Sequence, residues 1–119
     1  MTGQLRLLSG RKVKSPNSSE TRPTTSIVRE ALINIIGRKS INSSWLDLFS
    51  GTGIISCEAL QAGAKKVVAI ESDRITSKIC RSNLILISNE IRSNSQIRAI
   101  NADSLRWLKV GHAKQKEKN

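Results

Sequence analysis

Trp45-Leu46-Asp47-Leu48-Phe49-Ser50-Gly51-Thr52-Gly53 decides the fold. An apolar run carrying one acid ends in an aromatic residue and breaks into a small loop with two glycines. An amphipathic pattern follows at once, from Ile54 to Ala62. That order reads as strand, tight turn, helix. The glycines answer two physical demands: backbone angles that a Cβ hinders, and close approach of a ligand to the main chain. The helix that follows points its unpaired N–H groups back at the same spot. Such a junction is a cofactor seat.

Downstream, Lys66-Val67-Val68-Ala69-Ile70-Glu71 reads as a second strand, apolar as a buried parallel strand should be. Ser72 or Asp73 caps a helix over about 74–88, with Ile75, Ile79 and Leu86 on its inner face. Gln96-Ile97-Arg98-Ala99-Ile100 is a third strand, followed by Asn101-Ala102-Asp103 and a short helix over 104–110. Strand–helix–strand–helix–strand with short connections predicts a parallel sheet with right-handed crossovers. The expected strand order is 3-2-1, half of a doubly wound α/β sheet.

Upstream, Thr25 or Ser26 can cap a helix whose Ile27, Val28, Ala31, Leu32, Ile35 and Ile36 share one face, with Arg29 and Arg38 on the polar side. Leu5–Leu8 and Arg11–Lys14 read as a small hairpin about Ser9-Gly10. The chain therefore divides into a basic hairpin and helix (1–43), a partial Rossmann-like core (44–110) and a charged, disordered tail (111–119).

Composition narrows the function. At 119 residues and 38% hydrophobic, one soluble domain is expected. No apolar run is long enough to cross a bilayer. Gln4 and Arg6 interrupt any signal core, so the expected location is the cytoplasm. Twenty Lys and Arg against nine Asp and Glu give a net charge of +11, which favours a polyanionic partner. Arg6, Arg11, Lys12 and Lys14 would let the hairpin grip phosphates. Cys57 and Cys80 form no Cys-x-x-Cys and read as small buried hydrophobes rather than a disulfide or a zinc site. His112 lies in the polar tail, and no metal is expected.

Three acids fall at strand C-termini, where open parallel sheets bind ligands. Glu71 can accept hydrogen bonds from two ribose hydroxyls, Asp103 from the exocyclic amine of adenine, and Asp47 can face a positive group directly or through water. A dinucleotide fits poorly. Ser56 stands where its fingerprint needs a third glycine, and an acid before the loop repels a pyrophosphate. S-adenosylmethionine carries no phosphate, has an ammonium and a sulfonium, and tolerates Asp47.

Leu46–Gly53 with Glu58-Ala59-Leu60 resembles the nucleotide-binding segment of RsmD-like methyltransferases, which methylate guanine N2 in small-subunit (16S) ribosomal RNA. Thr21-Arg22-Pro23-Thr24 with Val28–Ile35, Leu5–Gly10, Val68–Glu71 and Asn83-Leu84 are similar to the same family, so the likeness runs from about residue 5 to about residue 105. The resemblance implies that Asp47, Phe49, Gly51, Gly53, Glu71, Ser72 and Asp103 hold S-adenosylmethionine. It implies that Arg22, Pro23 and Thr24 edge the active site. Arg6, Arg11, Lys12 and Lys14 would then contact ribosomal RNA or a small-subunit assembly intermediate, as a monomer, although the hairpin turn is short for the family.

The family's Asp-Pro-Pro-Tyr/Phe is missing; the only prolines are Pro16 and Pro23. That motif holds and stacks the target base, whose N2 lone pair is delocalised into the ring. No catalytic residue is therefore assigned. The chain is expected to be truncated after its third strand and to have little activity by itself. The rival expectation is a non-catalytic RNA-binding protein that keeps the cofactor half of the fold.

Overall fold

Lys66–Glu71 forms the middle strand of a three-stranded parallel sheet, with the bounds its apolar run predicts. The computed structural model describes residues 4–15 and 26–110. In chain order these are β1 (Gln4–Arg6), β2 (Lys12–Lys14), α1 (Ser26–Ile36), a 3-10 turn (Gly37–Ser40), β3 (Ser44–Asp47), α2 (Ile54–Gln61), β4 (Lys66–Glu71), α3 (Arg74–Glu90) and β5 (Gln96–Asn101). Residues 104–110 are helical and are called α4. The proposed active-site edge, Arg22, Pro23 and Thr24, lies outside the described residues, as does the tail over 111–119.

The sheet order is β3-β4-β5, which from the opposite edge is the 3-2-1 expected of the core strands. Register runs Trp45↔Val67↔Ile97 and Asp47↔Ala69↔Ala99. Alternation sends Val67 and Ala69 toward α2 and α3. There they join Ile54, Cys57, Leu60, Cys80, Leu84 and Ile87 in one buried apolar cluster. Leu7 and Val13 belong to the same cluster, so the hairpin is seated on the core. Both cysteines are buried and free.

Both ends of α3 have a local cause. Asp73 caps α3: its Oδ2 accepts from Thr76 N–H (2.9 Å) and from Thr76 Oγ1 (2.6 Å). Those two bonds hold the Asp73 carboxyl below the usual carboxylate range. At the other end, Ser93 N–H reaches Ser88 C=O (2.9 Å) and Arg92 N–H reaches Asn89 C=O (3.2 Å). This is a Schellman closure with Arg92, at φ +52°, where glycine is usual.

Two helical faces differ from expectation. Ile75 is 70% exposed and Leu86 is also exposed. The inner face of α3 is instead Ser77, Cys80, Asn83, Leu84 and Ile87, because the glycine loop and hairpin approach a flank that apolar periodicity alone does not mark. In α1, Ile27 is 79% exposed, whereas Arg29, expected on the polar side, is 5% exposed.

Arg29 is buried because Glu58 is. The Glu58 side chain is 3% exposed in the middle of α2. Its Oε2 accepts from Arg29 Nε (3.3 Å) and from Leu8 N–H (2.9 Å). Arg29 Nη2 then donates to Arg6 C=O (2.7 Å), so one ion pair joins β1, α1 and α2. Burial raises the Glu58 carboxyl above its ordinary value, against the lowering effects of Leu8 N–H and Arg29.

Breaking a buried pair from one side leaves an uncompensated charge, so Arg29→Met should cost about 3–5 kcal/mol in urea melts. Arg29→Met with Glu58→Gln should cost less, since a neutral amide oxygen still accepts the Leu8 N–H; equal losses would refute this account. Arg92→Gly should raise stability by about 1 kcal/mol by relieving its left-handed backbone. A lower melting temperature would count against the closure described.

Candidate cofactor site

The loop after β3 is fixed first by Ser50. Its N–H (3.0 Å) and its Oγ (3.1 Å) both donate to Ile70 C=O on β4. Gly53 N–H closes the turn onto Ser50 C=O (2.7 Å). Gly53 has φ +84°, and a Cβ there would stand 2.7 Å from Cys80 Sγ, so α3 packs against bare backbone. Gly51 has φ +53°, and nothing lies within 4 Å of where its Cβ would be. One glycine lets the helix approach; the other leaves open space beside the main chain.

Glu71 meets this loop across the strand ends. Its Oε1 accepts from Gly51 N–H (2.9 Å), and its Oε2 accepts from Asp73 N–H (2.7 Å) and Ser72 Oγ (3.5 Å). Asn101 Nδ2 bridges Glu71 C=O (3.0 Å) and Ser72 C=O (2.9 Å), and Ala102 N–H also reaches Glu71 C=O (3.1 Å). The carboxylate is thus oriented before any ligand arrives, with lone pairs to spare.

Asp47 sits half-buried at the end of β3. Its Oδ2 accepts from Ser56 Oγ (2.9 Å) and its Oδ1 from Phe49 N–H (3.3 Å). Burial pushes its carboxyl up, and the Glu71 charge adds to this, while Ser56 and Phe49 oppose it. Ser56, which the sequence marks only as a missing glycine, has its own task as the donor to Asp47. Phe49 is 82% exposed beside the loop. The Cys80 thiol, bonded to Ser50 Oγ (3.6 Å), is pushed up to about 11 by burial and is a packing group at neutral pH.

The structure therefore joins Asp47, Gly51, Gly53, Glu71 and Ser72 at the carboxyl end of the sheet. Asp103 is exposed at the start of α4 on the same end, where Ser104 Oγ donates to Leu48 C=O. Of the hairpin cations, Arg6, Lys12 and Lys14 are exposed, whereas Arg11 Nη1 pairs with Glu90 Oε2 (3.1 Å).

Sequence reasoning assigned no role to Asn83. It is fully buried; its Oδ1 accepts from Lys14 N–H (2.7 Å) and its Nδ2 donates to Lys14 C=O (2.9 Å) and Thr52 C=O (2.9 Å). Its signal was an amide flanked by Cys80, Leu84 and Ile87 on a helix. Glu58 offered the same kind of signal, a single acid inside the Ile54–Leu60 run.

Comparison with known proteins gives a consistent outcome. The ribosomal RNA small subunit methyltransferase D of Escherichia coli K12 is 32% identical over 111 residues, covering 90% of this chain and 54% of that protein. The protein of the same name from Haemophilus influenzae is 35% identical over 111 residues, covering 90% of this chain and 56% of the relative. A solved structure, the putative methyltransferase yhhF from E. coli, superposes with a TM-score of 0.72 at 30% identity, covering 89% of this chain and 56% of that one. The chain thus spans about half the length of the curated relatives it matches. With its family model matching residues 2–118, the chain belongs to the family described as conserved hypothetical protein 95, the RsmD family.

Proposed function

We propose that these 119 residues are the methyl-donor half of a methyltransferase acting on guanine N2 of small-subunit ribosomal RNA. The observation that carries this reading is the Glu71 carboxylate held by Gly51 N–H, with Asp47 half-buried behind the same loop. The fit to S-adenosylmethionine is chemical. The acids bonded to the loop suit hydroxyl and ammonium donors and repel a pyrophosphate, and the space beside Gly51 admits a ligand.

In this reading Glu71 accepts from the ribose hydroxyls and Asp103 from the adenine amine. Asp47 faces the ammonium. Phe49, Gly51, Gly53 and Ser72 line the seat. When bound, S-adenosylmethionine supplies a methyl group on a sulfonium, which is already a good leaving group. Positioning is then the chain's main contribution. Arg6, Lys12 and Lys14 are exposed for phosphate contact, while the Arg11 charge is shared with Glu90. Arg22, Pro23 and Thr24 belong to the active-site edge by the same family likeness. The 119 residues contain no Asp-Pro-Pro-Tyr/Phe, so the group that holds the target base is not among them.

Calorimetry with S-adenosylhomocysteine tests the seat. Binding is expected, with Glu71→Ala weakening it about ten- to a hundredfold through lost hydrogen bonds to a charged acceptor. Failure to bind in a folded sample, or preference for a dinucleotide, would overturn the reading. Incubated alone with ribosomal RNA and S-adenosylmethionine, the 119-residue chain is expected to transfer no methyl group; measurable transfer would show that the base-holding group is present after all.

The Asp47 shift adds a pH prediction. Its folded value is raised, so ionised Asp47 costs the free chain stability, and a facing ammonium restores the charged form. In the acid range above 3.8, ligand binding should release a proton, and affinity should fall as pH is lowered from neutrality toward 3.8. Asp47→Asn should flatten that profile. A flat profile in the unsubstituted chain would separate Asp47 from the ligand's cation.

A further inference from the structure

α3 has two flanks around its buried row of Ser77, Cys80, Leu84 and Ile87. At about 100° per residue, Asn83 and Glu90, which bond the hairpin, lie on one flank. Arg74, Lys78, Arg81 and Ile85 lie on the other, and all four are exposed. That second flank borders β5. A groove of about 360 Å³ opens between them, lined by Arg81, Leu84 and Ile85 from α3 and by the Ile97–Ile100 stretch of β5, of which Ile97 and Ala99 face α3.

The charge of this flank is not neutralised. Among the described residues the ion pairs are Arg11–Glu90 and Arg29–Glu58, and none of Arg74, Lys78, Arg81 and Arg98 takes part. Among the same residues β5 pairs only with β4, so its outer edge also presents main-chain donors. The groove thus combines an apolar floor with free cations and calls for an anion that has an apolar body.

We propose that this flank is a track for single-stranded RNA, distinct from the hairpin. Arg74, Lys78 and Arg81 hold successive phosphates. The groove takes one unstacked nucleotide, with its base against Ile85, Ile97 and Ala99, which share the α3 side of β5, and its phosphate at Arg81. Two observations favour RNA over an acidic peptide. The cations recur at steps of about 4.5–6 Å along the helix axis, matching a polymer that carries a charge in every unit. The row also starts beside the candidate methyl-donor seat, since Arg74 follows Asp73, whose N–H is bound by Glu71. A base-stacking platform with a phosphate track is a general way to hold a single strand. The assignment rests on the RNA reading of the function given above.

The test is fluorescence anisotropy of the 119-residue chain with a labelled oligouridylate of about 12 nucleotides across a salt series. Arg81→Gln with Lys78→Gln should weaken binding about tenfold and lower the salt slope by about 1.4, the share of two phosphate contacts. Ile85→Ser should weaken binding and leave the slope unchanged. Lys65→Gln with Lys66→Gln, at the opposite end of the sheet, should have a smaller effect. Circular dichroism melts establish that each variant is folded, and Arg81→Gln alone, with half the slope change, serves if the double variant is not. Equal losses from the two double variants would reduce the flank to bulk charge and overturn the track. So would tight binding of an alternating Glu-Val peptide together with unchanged RNA affinity. S-adenosylhomocysteine calorimetry on the same samples separates the readings. Loss of RNA affinity in the groove variants with no cofactor binding in the unsubstituted chain sinks the methyl-donor assignment and keeps the track; the reverse result sinks the track alone.

Discussion

One carboxylate holds three distant segments in place. Glu58 is buried in α2, and its negative charge is tolerable only because Arg29 and Leu8 N–H meet it. Arg29 in turn satisfies Arg6 C=O, so the edge of β1 is not left with an unpaired acceptor. The exposed Ile27 and Val28 of α1 contribute little burial, and Arg29 is its main described tie to α2 and β1. A polar interaction thus ties the layer above α2 to β1. Buried pairs of this kind add little net stability against a hydrophobic alternative, but they specify geometry closely.

That geometry reaches the cofactor seat through the helices. α2 begins at Gly53, whose missing side chain lets Cys80 of α3 close against the loop. Ser50 pins the loop to β4, and Glu71 at the end of β4 takes the loop's next N–H. Asn101 then ties the end of β5 to the main-chain carbonyls of Glu71 and Ser72. The seat is built from backbone amides and carbonyls, with side chains acting as clamps. This explains how short strands of four to six residues hold a defined site.

Much of this was legible in the sequence, for reasons that can be traced to particular residues. β4 was readable because its apolar run is bounded by charge at both ends, and the glycine loop because its left-handed angles demand specific residues. Asp73 was one of two candidate caps, and Thr76 three residues on decides between them. The faces of α1 and α3 were not readable in the same way. Periodicity defines a stripe but not the layer that covers it. In α3 the covering layer is partly a hairpin and a loop, which recruit Asn83 and Cys80 and leave Ile75 in water. Arg29 was misassigned because a lone cation reads as solvated until its acid, 29 residues away, is known to be buried. Asn83 and Asn101 act across 29 residues or more, and no local pattern announces them.

Asn83 has a mechanical consequence. A single amide group holds both main-chain atoms of Lys14 and the carbonyl of Thr52. The end of β2 and the turn between the two glycines are therefore joined by one short, rigid tie rod, with no slack peptide between them. Force applied to the hairpin by a large polyanion would be delivered to the loop beside Gly51 without first bending the helix that carries the tie.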